Sequence, residues 1–358
     1  MPFDTINTNL TPHDLGSRPH SRAVAIWLLV VAGMIWVMVA LGGATRLTGS
    51  GLSIMEWAPL MGSLPPLSQA EWNRLYDLYR AIPQYQLVNA GFGLEGFKQI
   101  FWLEWGHRFW GRLIGLAYLV PFLWFWARGA ISRAMLPRFL LLFVLGGMQG
   151  AIGWFMVASG FEAGRTAVSP YRLVVHLSMA FLLFSAILWT ALGLLQPNPA
   201  ALPAKAAPVR RQVQVAFGLA LATMLAGGFV AGIRAGFAYN TWPLMDGQLI
   251  PSGYLDLTPW WANLTGNIAA VQFNHRLLAS LAALAALGAV VAAWRHLPQG
   301  TARSRVLHMG AAVLLQYGLG IITLLHVVPW SLGTLHQAVA VLVLTTGLVA
   351  LHGLRAPR

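Results

Sequence analysis

Eight apolar runs of about 20 residues, each long enough to cross the roughly 30 Å hydrocarbon core of a bilayer as a helix, leave this 358-residue chain few ways to fold. They lie near 23–44, 104–127, 136–158, 172–195, 211–233, 269–294, 305–328 and 332–354. Lipid offers the backbone no hydrogen-bond partners, so spans of this kind close their own bonds as helices. The expectation is an all-α polytopic membrane protein. The composition agrees, with 57% hydrophobic and 9% charged residues. The first run is too long for the apolar core of a secretory signal and reads as a retained helix. No Arg-rich, acid-poor transit segment precedes it, which points to a bacterial plasma membrane.

The chain has no cysteine, which removes disulfides, thiolate metal sites and thiol relays. Any redox chemistry must then come from a bound cofactor. The net charge of +13 is distributed by topology, which excludes nucleic acid as its explanation. Arg18 and Arg22, then Arg128, Arg133 and Arg138, then Lys205, Arg210 and Arg211, then Arg295, Arg303 and Arg305, then Arg355 and Arg358 all fall on one side of the spans. By the positive-inside rule that side, with both termini, is cytoplasmic. The opposite, periplasmic side has long loops at 45–103 and 234–268, a shorter one near 159–171 and a turn at Pro329.

The two halves echo each other. "GGATRLTGSG" after the first span matches "GGFVAGIRAG" after the fifth, "PLMGSLP" matches "PLMDGQLIP", "HRFWGRLIG" matches "HRLLASLAA" and "MQGAIGW" matches "LQYGLGI". Pro59 and Pro243 are 184 residues apart, His107 and His275 168, Gln149 and Gln316 167, and His176 and His336 160. A duplicated four-helix unit explains the pattern, giving two pseudo-symmetric four-helix bundles in the same orientation. The resulting division is a tail at 1–22, a first half at 23–195, a linker at 196–210, a second half at 211–354 and a tail at 355–358. In the first outer loop, "SQAEWNRLYDLYR" has capping-box spacing at Ser68 and Glu71, with Trp72, Leu75, Tyr76 and Tyr79 on one face. This is either an amphipathic helix over the outer surface or a solvated loop helix.

Of the ten histidines, four hold repeat-equivalent places: His107 and His176, then His275 and His336. Each lies in the first turns of an even-numbered span, at similar shallow depth toward the outer side. Pairs of imidazoles facing each other across a helix bundle hold a heme iron by two axial ligands. Zinc suits these residues poorly, because its structural sites bring sulfur or closely spaced ligands. His13, His20, His296 and His352 lie in or near cytoplasmic tails and loops. His308 and His326 have no counterpart in span three. Gly111 and Gly115, at steps of four from His107, form either a flat strip for a porphyrin or a small-residue packing face. No second histidine pair lies near the cytoplasmic face, so the pairs do not make a transmembrane electron wire.

The matched helices differ at two positions in kind, a carboxylate against an amide and a deeper arginine against a hydroxyl. Glu104, His107, Arg108 and Arg112 face Gln272, His275, Arg276 and Ser280. Residues 104, 108 and 112 form one stripe, with His107 beside it. Two readings follow: a Glu104–Arg108 ion pair that solves a burial problem, or acid-base chemistry by Glu104 beside a heme in the first half alone. Arg108 and Arg276 are natural partners for heme propionates.

"EWGHRFWGRLIG", "SPYRLVVHL", "FNHRLLA" and "LHQAVAVLV", with "GGATRLTGSGLS" and "TWPLMDG", resemble the heme A synthase family along essentially the whole chain. The resemblance implies oxidation of a heme O methyl group to a formyl group through a hydroxymethyl intermediate, yielding heme A for cytochrome oxidase. It implies that His275 and His336 bind a heme b cofactor, that His107 and His176 belong to the substrate-heme site, and that Glu104 is the essential carboxylate. Heme O synthase, a cytochrome oxidase assembly factor, the bilayer and a second copy of the chain are the partners it suggests, with the electron acceptor open. Some members carry cysteine pairs in their outer loops; this chain does not. Oxidation by electron removal, with Glu104 accepting the methyl proton or positioning water, and oxidation by oxygen at the iron both stay open. The alternatives from other classes are a di-heme cytochrome b type quinol electron-transfer protein and a heme chaperone or exporter.

Overall fold

The computed structural model describes residues 21–59, 61–197 and 206–355. Residues 1–20, 60, 198–205 and 356–358, with Arg18, Lys205, Arg358, His13 and His20 among them, lie outside the described residues. Among those described, eight helices are long and apolar enough to cross a membrane. They are α1 Ser21–Leu47, α2 Leu94–Ala127, α3 Leu136–Ala158, α4 Pro170–Leu195, α5 Ala206–Gly232, α6 Ile268–His296, α7 Thr301–Leu325 and α8 Trp330–Gly353. Proline opens several of them, Pro170 at the start of α4 and Pro329 just before α8, where a missing N–H costs nothing.

Two boundaries differ from the sequence expectation. Helix α2 starts at Leu94, ten residues before the expected 104, because Phe97, Ile100, Phe101 and Glu104 bury one face at helical spacing against protein rather than lipid. At 34 residues it is about 51 Å long, well beyond a bilayer core. Helix α5 starts at Ala206 and absorbs Val209 and Arg210 from the expected linker, with Pro208 tolerated in its first turn.

The projecting part of α2 roots an outer cap. The loop helix Gln69–Arg80 is N-capped by Ser68, whose side chain accepts from Glu71 N at 3.2 Å. It buries Trp72, Leu75 and Tyr79 with Leu52 and Ile82 on Phe97, Ile100 and Phe101. The Trp72 and Phe101 rings meet at 4.9 Å. The amphipathic face therefore packs onto a neighbouring helix.

Helix α1 packs on α2 and α4, and α3 on the same two; α5 and α7 each pack on α6 and α8. Contacts of α1 with α8, and of α4 with α5 and α8, join these sets. The first core is aromatic, built around Trp27, Tyr118, Phe122, Phe139 and Phe184, and takes in Val341, Leu344 and Leu348 of α8. The second is rich in alanine, with Ala216, Ala220, Ala283, Ala286, Ala289 and Ala293 between α5 and α6. Small residues let those backbones approach closely. Gln337 of α8 donates to Val39 O of α1 at 2.9 Å, a polar tie between the sets.

Candidate heme-ligand sites and their outer clasps

Each of the four repeat-placed histidines is laid edge-on against a glycine of an adjacent helix. A β carbon built on Gly42 of α1 would sit 3.1 Å from His107 Cε1, and one on Gly153 of α3 2.9 Å from His176 Cε1. In the second half the figures are 3.0 Å for Gly227 of α5 against His275 and 3.0 Å for Gly320 of α7 against His336. Only a residue without a side chain leaves these imidazoles where they are. His107 lies within electrostatic range of His176, and His336 within range of His275.

The ring nitrogens fit axial ligation. His275 Nδ1 lies 3.0 Å from Thr223 O, which fixes Nδ1 as the protonated nitrogen and leaves the Nε2 lone pair free. The Nδ1 atoms of His107 and His336 are buried with no hydrogen-bond partner. Among the described residues no group of three or more His, Cys, Asp or Glu converges. Neutral imidazoles in facing pairs are the donor set of a bis-histidine heme.

Two glutamines that sequence reasoning used only to align the repeat belong to this arrangement. Gln149 Nε2 donates to His176 O at 3.1 Å and lies 3.2 Å from His176 Nδ1. Gln316 Nε2 donates to His336 O at 3.0 Å and lies 3.4 Å from His336 Nε2. The signal was present in "MQGAIGW" and "LQYGLGI", which carry both the glutamine and the seating glycine. Gly111 and Gly115 play a lesser part: Gly111 receives the Met38 methyl, and Gly115 faces open space.

The Glu104–Arg108–Arg112 stripe of α2 clasps the first outer loop. Glu104, 2% exposed, accepts on Oε2 from Ser53 N (2.7 Å), Ser53 Oγ (2.7 Å) and Ile54 N (2.9 Å). Its Oε1 accepts from Arg108 Nε (3.1 Å) and Nη2 (2.6 Å). Arg108 also donates to Ile54 O at 2.6 Å and Glu56 O at 2.9 Å. One turn deeper, Arg112 donates to Ala58 O and Pro59 O, both at 2.8 Å. Five donors thus converge on this one buried carboxylate.

The matched stripe on α6 clasps the third outer loop with the polarity reversed. Gln272 Nε2 donates to Ala235 O (2.7 Å) and Ala238 O (2.5 Å), while its Oε1 accepts from Arg276 Nη2 at 2.7 Å. Arg276 donates to Tyr239 O and Thr241 O at 2.5 and 2.9 Å. Arg108 thus divides its donors between Glu104 and loop carbonyls, and Arg276 between Gln272 and loop carbonyls, while Arg276 Nε and Arg112 Nη1 are buried without a partner. The remaining described histidines do not join the pairs. His326 bonds Ile322 O at the end of its own helix, and His352 packs on Trp189 near the C-terminal end of α8.

Comparison with known proteins bears on what these sites do. Residues 25–348 match the family described as cytochrome oxidase assembly protein. The heme A synthase of Granulibacter bethesdensis is 59% identical over 93% of this chain and 87% of its own length. That of Rhodospirillum centenum is 54% identical over 94% and 89%, and that of Bradyrhizobium diazoefficiens 50% identical over 92% and 90%.

Proposed function

Because the chain belongs to the cytochrome oxidase assembly protein family, whose matched members are heme A synthases, we propose that it oxidises heme O to heme A in two four-helix halves of unequal role. The observation that carries the assignment is the seating of all four repeat-placed histidines against helical glycines. His275 and His336 would hold a resident heme b, and His107 and His176 the substrate heme O. A bound heme supplies a reversible one-electron couple, and heme O supplies the methyl carbon that is oxidised through the hydroxymethyl stage.

The chain's own residues set the stage for that chemistry. Gly42 and Gly153 position the imidazoles of the first half, and Gln149 fixes the backbone beside His176. Glu104 stands one turn from His107, and its two oxygens are occupied by loop 53–54 and Arg108. It is therefore a positioning carboxylate, acting on the substrate through the loop it holds closed and the water that loop excludes. Both termini face the cytoplasm and the sites the periplasm, in a bacterial inner membrane. Heme O, with its long isoprenoid tail, enters from the bilayer.

Expression in a host that makes heme O but no heme A, followed by chromatography and mass analysis of the extracted hemes, tests the assignment. Heme A or its hydroxymethyl precursor is expected. Heme b alone, unchanged by added heme O, would make the chain an electron-transfer cytochrome.

A further inference from the structure

Arg108 is paired with Glu104, and Arg112 and Arg276 are bonded to loop carbonyls, which leaves two cations at the loop-side ends of α1 and α5 to account for. Arg46 ends α1 and Arg234 follows α5, and their guanidinium groups lie within electrostatic range of each other. Neither side chain has a hydrogen bond or ion pair among the described residues. Both line a cavity of about 490 Å³ that also draws on Thr48, Gln84, Asn89 and Ile100 and on no acidic residue. Two like charges turned into one hollow repel, an arrangement that an oxyanion relieves.

The position of the cavity indicates which oxyanion. Arg46 is one turn outward of Gly42, the seat of His107, on the same face of α1. Ile100 is two turns outward of His107 on α2. The geometry points to an oxyanion site shared by the two halves, in which Arg46 and Arg234 together take the propionate carboxylates of the tetrapyrrole ligated by His107. For the source of the carboxylate it rests on the heme reading of the first half. A phosphate offers the same chemistry, and the lipid headgroup is its available source.

The purified full chain is titrated with ferric heme b and with its dimethyl ester, reading the Soret band. The native chain is expected to prefer the free acid at the site abolished by His107→Ala. R46Q and R234Q each reduce that preference roughly tenfold, as expected for one lost charge-assisted contact, whereas R46K and R234K largely keep it. Helix content by circular dichroism confirms that the variants are folded. In a second arm, native mass spectrometry compares anionic phospholipid retained by the native chain and by R46Q/R234Q; arginine-dependent retention assigns the site to phosphate. An acid-to-ester preference equal in native and charge variants, with no change in retained lipid, overturns the proposal while leaving the heme reading intact. Heme binding indifferent to His107→Ala overturns the heme reading instead, and the oxyanion site then stands or falls on the lipid arm.

Discussion

Glu104→Gln separates the clasp from direct proton transfer. The amide can offer its oxygen to the three donors of Ser53 and Ile54, but its NH₂ then faces Arg108 Nε and Nη2, two donors against a donor. Two charge-assisted bonds are lost, each worth roughly 1.5–3 kcal/mol. The pair is 3% and 17% exposed, so water repairs little of this, and the cost is about 3–5 kcal/mol, the range for breaking one side of a buried ion pair. Arg108 keeps Ile54 O and Glu56 O, so the damage is local opening of loop 53–59. An opening free energy lowered by about 3 kcal/mol raises the open population by roughly a hundredfold. Hydrogen exchange by mass spectrometry in nanodiscs, on peptides covering residues 50–60, reads this directly. Heme retained at His275 and His336 serves as the internal control. The clasp argument is refuted if methyl oxidation is lost while exchange at Ser53 and Ile54 is unchanged, since the carboxylate would then act on the substrate itself.

The reverse substitution, Gln272→Glu, places an anion against Ala235 O and Ala238 O and is expected to cost more than Glu104→Gln; thermal unfolding of the heme-loaded protein, with exchange over residues 234–241, measures it. Alanine at Gly153 or Gly320 should gain up to about 1 kcal/mol of helix propensity yet displace His176 or His336, so heme content of that half falls by pyridine hemochrome assay while the other half is spared. In the cap, Arg74 hydrogen bonds hold the Glu56 and Glu71 carboxyls below the usual range. Their folded values are depressed, so the stability they add is present above the ordinary carboxylate pKa of about 4.3 and is lost as pH falls through the folded values. Both are half-exposed, so the loss should stay under about 1 kcal/mol, and R74A should abolish the difference between unfolding at neutral pH and at about pH 3.

The eight spans were legible because lipid demands a single property over a length, and that property can be read residue by residue. The first ten residues of α2 were not, because Phe97, Ile100 and Phe101 bury against the loop helix and so are interleaved with polar residues such as Lys98 and Gln99. The equivalence of the four histidines was legible through the repeat. Their glycine seats were in the same repeat motifs, but a glycine in a membrane helix has many ordinary uses, and only the distance to Cε1 distinguishes one. Of the two readings of Glu104, the sequence could not separate ion pair from base, since the partners at Ser53 and Ile54 lie 51 and 50 residues away. Arg46 and Arg234 escaped notice because their meaning is the lack of a partner, which spacing cannot report.

Helix α2 carries Phe97 and Phe101 in the cap and His107 in the membrane on one uninterrupted rod. No break lies between the surface against which the loop helix packs and the residue proposed as an iron ligand, two to three turns apart. A push or pull delivered to Trp72 or Tyr79 from outside is therefore transmitted along a stiff element rather than absorbed by a joint. Anything that docks on the cap leans on the imidazole, and whatever tilts the imidazole is felt at the surface.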